Sequence, residues 1–336
     1  MTDRKQLAFS VLDLAPVAEG STPADALRNS LELAQHTEQL GYSRYWVAEH
    51  HNIISVASAA TSIIIGYIAA GTKNIRVGSG GIMLPNHSPL IVSEQFGTLA
   101  ALYPNRIDLG LGRAPGTDPV TAAELRYDRM RAAQDFPNEV RKIQQYFSVE
   151  NKNSEVRSVL SEGADVPIYI LGSSTDSAYL AAELGLPYAF ASHFAPQMLI
   201  ASLRIYRGNF KPSAQLDKPY VIVGSQVVAA ETDDEAEYLA STMRRSFMGI
   251  LTGRRELMQP PTHHLGYEKW GIIKERIDQM LACSLIGGNE KVERELKELV
   301  ANTNADEIIV SSHIYDQQKR LDSYRIFSEV VKGFEY

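Results

Sequence analysis

A chain of 336 residues with a formal net charge of −7 excludes the basic stripe expected of a nucleic-acid or anionic-membrane binder. Hydrophobic content of 44% and charged content of 22% place it among globular proteins with a sizeable core. The lone cysteine, Cys283, rules out an intrachain disulfide and fits a reducing cytoplasm.

Arg4 and Lys5 precede a short apolar run, but Asp13 interrupts it, so the first residues do not read as a secretory leader. No window approaches the roughly 18 apolar residues of a membrane helix. Leu7 to Leu12 reads as a buried strand. Thr22-Pro23 then caps and opens a helix that Gly41 stops. Tyr45 to Ala48 is the second strand. It ends on Glu49-His50-His51, three ionisable residues at one strand terminus.

Ser58 to Gly71 reads as a helix with almost no polar face, so either a thick local core or a second subunit should cover it. Ile75 to Leu84 is the third strand, and a helix from Ser88-Pro89 runs to Tyr103. Ile107 to Leu111 is the fourth strand, followed by helices over roughly Val120 to Tyr146. A polar stretch, Ser148 to Asp165, reads as an insertion. Pro167 to Leu171 and Tyr188 to Ala191 are the fifth and sixth strands, with helices after each. Tyr220 to Ala229 is the seventh, and Asp233 starts a helix. Gly249 to Gly271 is long and irregular enough to be a lid. Two helices, near Ile272 to Leu281 and from Asn289 to Ala301, precede an eighth strand at Glu307 to Ser312. A closing helix follows Arg320.

Eight strands alternating with helices, with no linker, predict one α/β domain over residues 1–336. Its form is a (β/α)8 TIM barrel with insertions after strands 4 and 7. In such barrels the chemistry gathers at the C-terminal strand ends, so Glu49-His50-His51, Arg113, Ser173-Ser174 and His193 should converge.

Alternation along a strand sends His50 and His51 to opposite sides. One of them in the pocket is a proton donor or acceptor; equally, it is a structural, hydrogen-bonded histidine. A metal site would have to borrow Glu49, His87 or His193, and no recognised ligand spacing is present. Gly110-Leu111-Gly112-Arg113-Ala114-Pro115-Gly116 follows a strand, but its third glycine falls one place late for a dinucleotide loop. Arg113 there reads as a phosphate grip or as a surface salt bridge. Gly172-Ser173-Ser174-Thr175-Asp176-Ser177 leads from a strand into a helix. It reads as an anion site built on the helix N-terminus, with Ser173, Ser174 and Ser177 as hydroxyl donors, or as a simple N-cap. Glycines at 78, 80 and 81 inside a strand require either a bulge or a flat ligand against the backbone.

Four segments together, in this order, resemble the bacterial luciferase-like flavin monooxygenases. They are Tyr45 to His51 (YWVAEHH), Val77 to Pro85 (VGSGGIMLP), Asn105 to Arg113 (NRIDLGLGR) and Leu171 to Ser174 (LGSS), and the likeness covers nearly the whole chain. The resemblance implies a dimeric (β/α)8 barrel that uses reduced FMN, delivered by a separate flavin reductase, and dioxygen to oxygenate a small organic substrate. By position it implies His50 as the pocket histidine beside the flavin. Gly80-Gly81 would be the non-proline cis peptide beneath the ring. Arg113, Gly172, Ser173, Ser174 and Ser177 would be the phosphate-side residues. It also implies that Gly249 to Gly271 is the mobile active-site loop, and that the helices Ser58 to Gly71 and Ser88 to Tyr103 form the subunit interface. Ser173 departs from the acidic residue of the light-emitting luciferase subunit, which bears on light emission and an aldehyde substrate rather than on the flavin. Three other functions fit a chain of this kind: an F420-dependent oxidoreductase, a flavin binder without catalysis, and a metal hydrolase on the same barrel.

Overall fold

In the computed structural model, residues 7–266 and 271–334 are described. Residues 1–6, with Arg4 and Lys5, and residues 267–270 of the expected lid lie outside that description. All the strands run parallel. They are β1 (Ala8–Asp13), β2 (Arg44–Val47), β3 (Arg76–Met83), β4 (Ile107–Gly112), β5 (Ile168–Gly172), β6 (Tyr188–Phe190), β7 (Val221–Ala229), β8 (Leu285–Gly287) and β9 (Glu307–Ser311). Seven of them, β1 to β7, pair in sequence order. β9 fits between β7 and β1, and the ring of eight closes into the expected barrel. β8 lies outside the ring, pairing Leu285, Ile286 and Gly287 with the far end of β7. Three residues are too few to show strand periodicity in a sequence; only pairing with the end of β7 that runs on beyond its pairing with β9 makes them a strand.

The helices are α1 (Pro23–Gln39), α2 (Thr61–Gly71), α3 (Pro89–Leu102), α4 (Pro119–Leu125), α5 (Arg129–Gln134) and α6 (Phe136–Phe147). The second half of the chain adds α7 (Thr175–Leu184), α8 (Leu199–Asn209), α9 (Asp233–Thr252), α10 (Gly271–Met280), α11 (Asn289–Thr303) and α12 (Gln317–Lys332). Their starts follow local chemistry. Thr22 caps α1 in a reciprocal box with Asp25, and Asp118 caps α4 by accepting from Val120 and Thr121 N–H groups. Among the described residues, no helix is long and apolar enough to cross a membrane.

Strand parity decides what the barrel contains. Partnered residues on adjacent strands share a face, and the register aligns Leu12 with Trp46, Trp46 with Gly78 and Gly78 with Asp108. It likewise aligns Gly110 with Tyr169, Leu171 with Ala189, Ala189 with Ile222 and Gly224 with Ile309. Leu12, Trp46, Tyr169, Ala189, Ile222 and Ile309 form an inner apolar layer, with Trp46 edge-on to Tyr169 at 4.9 Å. The opposite parity feeds a larger core between barrel and helices, including Val11, Tyr45, Val47, Leu109 and Val223.

Below the inner layer, at the N-terminal strand ends, lies a buried ionic floor. Arg44 donates to Glu307 (2.8 Å), Asp108 (2.8 Å) and Tyr169 (2.7 Å). Asp108 also accepts from Trp46 Nε1 and Arg76, and Glu307 from Tyr220. Above the inner layer, at the C-terminal ends, the barrel opens.

Outside, α2 turns Ile64, Ile65 and Ile68 to the sheet and leaves Ile63 and Tyr67 exposed, while α3 exposes Ile91 and Leu102. The polar insertion 148–165 folds back on α3: Ser161 Oγ donates to the Ser93 carbonyl, and Gly97 leaves room for it.

Candidate functional site: a cavity at the barrel mouth

The C-terminal strand ends, the loop after β4, α5 with the start of α6, and the end of α9 with the segment after it surround a cavity of about 1470 Å³. Ligand pockets commonly occupy about 300–1,000 Å³, so this one has room for two molecules. His50, Gly80, Arg113, Gly172, Ser173, Ser174 and Ser177 all line it. Gly81 does not: the register of β3 slips between Ser79 and Ile82, so Gly80 and Gly81 both stand opposite Gly110, and a Cβ on Gly81 would lie 2.6 Å from the Gly110 carbonyl oxygen and 3.2 Å from a Leu171 methyl. The Gly80–Gly81 peptide is cis.

Parity carried past the end of β2 explains the three ionisable residues that follow it. Positions 44, 46, 48 and 50 face inward, so His50 enters the cavity while His51 turns outward. The His50 ring is fixed by the loop after β4: Nδ1 lies 3.1 Å from the Gly116 carbonyl. A carbonyl can only accept, so Nδ1 carries the proton and Nε2 is the ring's basic nitrogen. Burial depresses the His50 pKa, against the raising effects of the Gly116 bond and Glu49, and the charge of Arg255 depresses it further. The ring is therefore neutral at pH 7. Gly116 was not singled out from sequence. Its φ of +65° and the closeness of the Glu49 carbonyl to any Cβ make glycine the fitting residue, and its carbonyl also accepts the His51 N–H.

Glu49 is buried and spoken for. Its carboxylate accepts from His51 Nε2 (2.9 Å), His87 Nε2 (2.9 Å), Asn86 Nδ2 (3.0 Å) and the Met83 N–H (2.9 Å). Burial alone would raise its pKa, but the bonds from His51 and His87 lead the effects that bring it down to about 2. Asn86 passes the connection on to Arg129, which donates to Asn86 Oδ1 and to the Arg113 carbonyl. Glu49 thus ties the ends of β2 and β3 to the loop after β4. Among the described residues, no cluster of three or more His, Cys, Asp or Glu side chains is arranged to hold a metal ion.

Across the barrel, β5 delivers Gly172-Ser173-Ser174 to the N-terminus of α7. Ser174 occupies the N-cap without a side-chain cap bond. Among the described residues neither the Ser173 nor the Ser174 hydroxyl has a partner. The first N–H groups of α7 and its dipole add to an anion-favouring corner. Arg113 reaches this corner and contacts Asp176 Oδ2 at 3.1 Å; both side chains are half-exposed or more. Ser177 is differently occupied. Its hydroxyl donates to the Ser174 carbonyl (2.7 Å) and touches Tyr188 Oη (3.0 Å). It fills the space a Cβ on Gly172 would need, which accounts for that glycine by packing.

Two further histidines share the inward parity of His50. His193 follows β6, and His313 follows β9. Burial, reinforced by its histidine neighbours, lowers the His193 pKa to about 3. Burial, then Arg320, lowers that of His313 to about 4. Nδ1 of His313 meets Gln226 Oε1 at 3.1 Å, whereas His193 Nδ1 is buried without a partner among the described residues. His313 carries no sequence signal of its own; counting parity back from the last strand would have found it.

Helix α9 runs three residues past Gly249, the expected start of the lid, and ends at Gly253 in a left-handed cap. The following segment crosses the mouth and is pinned to the chain after β1 by Met258 N–H to the Val17 carbonyl and Glu19 N–H to the Met258 carbonyl, each 2.9 Å.

The family model for luciferase-like monooxygenases matches residues 7–307. An Escherichia coli K12 protein named luciferase-like monooxygenase is 48% identical over 331 residues, 98% of each chain. The N-acetyl-S-alkylcysteine monooxygenase of Bacillus subtilis is 30% identical over 339 residues, covering 97% of this chain and 98% of that one. Among solved structures, apo-MsnO8 is 36% identical with a TM-score of 0.87, covering 98% of this chain and all of the other.

Proposed function

The chain belongs to the luciferase-like monooxygenase family, and from that premise we propose that it is an FMN-dependent monooxygenase acting on a small organic substrate. The observation that carries the reading is one cavity with an anion-favouring corner at one side and a neutral, carbonyl-anchored His50 at the other. The residues fit the cofactor. Ser173, Ser174, the α7 N–H groups and Arg113 would hold its phosphate, and Arg113 would exchange Asp176 for it. Gly80, with Leu12 and Trp46 crowding the place of any Cβ, leaves a flat wall for the ring. Ser177 supports the corner rather than donating into it, and Gly81 and Gly172 serve by leaving space.

Bound reduced FMN would supply the electrons that activate dioxygen. The chain's own part is positioning, proton control and exclusion of water. His50 Nε2 accepts a proton at the cavity wall while Nδ1 stays held by Gly116. The apolar residues of the segment after α9 close the cavity from above. A separate reductase supplies reduced FMN by diffusion, and a second copy of the chain covers the apolar faces of α2 and α3; the cytoplasm fits both.

Titration with FMN, riboflavin and F420 tests the proposal. Binding of FMN in the micromolar range, and more tightly than F420, is expected. Arg113→Ala should weaken FMN about tenfold and riboflavin less than about twofold. Preference for F420, or no FMN binding at micromolar levels, overturns the reading. Oxygen-dependent reoxidation of bound reduced FMN separates an oxygenase from a passive flavin carrier.

A further inference from the structure

The segment that roofs the cavity is basic in an acidic protein. Arg245 on α9 and Arg254 and Arg255 just beyond it all line the cavity. Against these three arginines the segment sets one carboxylate, Glu256, while the whole chain carries −7. Among the described residues, none of the three guanidinium groups forms an ion pair with Asp or Glu. Arg245 only brushes the Pro260 carbonyl and Gln259 Oε1, each at 3.5 Å. The other acids on the cavity wall are engaged, Glu49 by its four donors and Asp176 by Arg113. The three inward histidines are neutral and compensate no charge.

The position of this cluster separates it from the phosphate corner. Met258 anchors the segment beside the chain that leaves β1, and β5, which leads into Ser173 and Ser174, stands fourth from β1 in the ring of eight, directly across the mouth. Arg255 lies close enough to His50 to act on its protonation. The backbone that presents the arginines is set in place: the Arg254 carbonyl folds back over α9 to within 2.6 Å of where a Cβ on Gly249 would lie. The chain after β1 and β2 and the segment that carries the arginines also bring apolar side chains to the cavity, Leu14, Ile53, Val56, Phe247 and Met258, beside the polar Ser55, Ser246 and Gln259.

We propose that Arg254 and Arg255, assisted by Arg245, bind the carboxylate of an organic-acid substrate whose apolar body lies along these apolar side chains toward His50. The proposal rests on the flavin reading only in assigning the opposite corner to the cofactor. Guanidinium groups grip carboxylates through paired N–H donors; here Arg245 is half-buried, while Arg254 and Arg255 are exposed at the rim of the cavity.

Octanoate and octanamide differ in charge and little in size, which makes them a suitable probe pair for calorimetric titration of the FMN-loaded protein. Octanoate should bind at least about tenfold more tightly than octanamide. Arg254→Gln with Arg255→Gln should remove that preference, leave FMN affinity within about twofold, and be rescued by the paired lysine substitutions. Equal binding of the two probes, binding of neither, or an octanoate preference that survives the double substitution overturns the proposal. Loss of FMN affinity in the double variant reassigns the arginines to the cofactor phosphate and overturns it too. The titration is repeated without flavin. Octanoate preference in a protein that takes no FMN would leave this proposal standing and remove the flavin reading; tight FMN binding without octanoate preference would do the reverse.

Discussion

The two ends of the barrel handle polar groups in opposite ways. At the floor, Arg44, Asp108, Glu307, Tyr169, Trp46, Arg76 and Tyr220 satisfy one another in a single buried network. At the mouth, the Ser173 and Ser174 hydroxyls, His193 Nδ1 and three arginines have no such closure among the described residues. The same parity supplies both ends, since Arg44 starts β2 and His50, three residues past its end, keeps the inward side of Trp46 and Ala48. Satisfied groups at the floor hold the staves together, and open groups at the mouth wait for partners the chain does not carry. Glu49 joins the two styles: it is closed like the floor but sits at the mouth, and it steadies the loops that aim His50 and Arg113.

The largest effect should come from breaking the floor. Arg44→Met leaves Asp108 and Glu307 buried with fewer donors, and chemical denaturation should report a loss of about 3–5 kcal/mol. A loss below about 1 kcal/mol would mean that the acids are served by their remaining partners alone.

Glu49→Gln should cost about 3 kcal/mol at pH 7, because an amide presents N–H groups to donors that need an acceptor. The Glu49 pKa falls from 4.5 to about 2 on folding. Its stabilisation is therefore complete above pH 4.5 and fades as pH drops toward 2. The gap between wild type and variant in urea titrations should close over that window. A gap constant down to pH 2 would remove the carboxylate from this role.

The smallest effect on stability, and the most selective on the mouth, should follow Gly116→Ala. Strain at φ +65° and contact with the Glu49 carbonyl would cost about 1–2 kcal/mol and turn the carbonyl away from His50 Nδ1. With that bond gone, the His50 pKa, read by NMR titration, should fall further, since the Gly116 contact is the leading effect holding it up. An unchanged or raised value would show that the bond does not set the ring.

Much of this was legible in the residue order. Strand and helix runs predicted the ring of eight, and alternation within one strand separated His50 from His51. Gly172-Ser173-Ser174 announced a helix start with spare hydroxyls. Ser177 looked equally available, yet the structure commits it to the Ser174 carbonyl and Tyr188, a partner eleven residues away on the next strand. Glu49 read as one member of a polar cluster; its partners at positions 83, 86 and 87 come from the end of another strand.

Sequence by itself determined the eight ring strands, their parallel order and the alternation that sends His50 inward and His51 outward, because hydrophobic periodicity and capping are local and repeat within a few residues. Tertiary structure alone decided which polar groups are closed and which stay open. That depends on loops from different strands meeting at the mouth, as when Gly116 orients His50 and Met258 pins a basic roof beside β1. Such meetings follow from ring closure and leave no period in the chain.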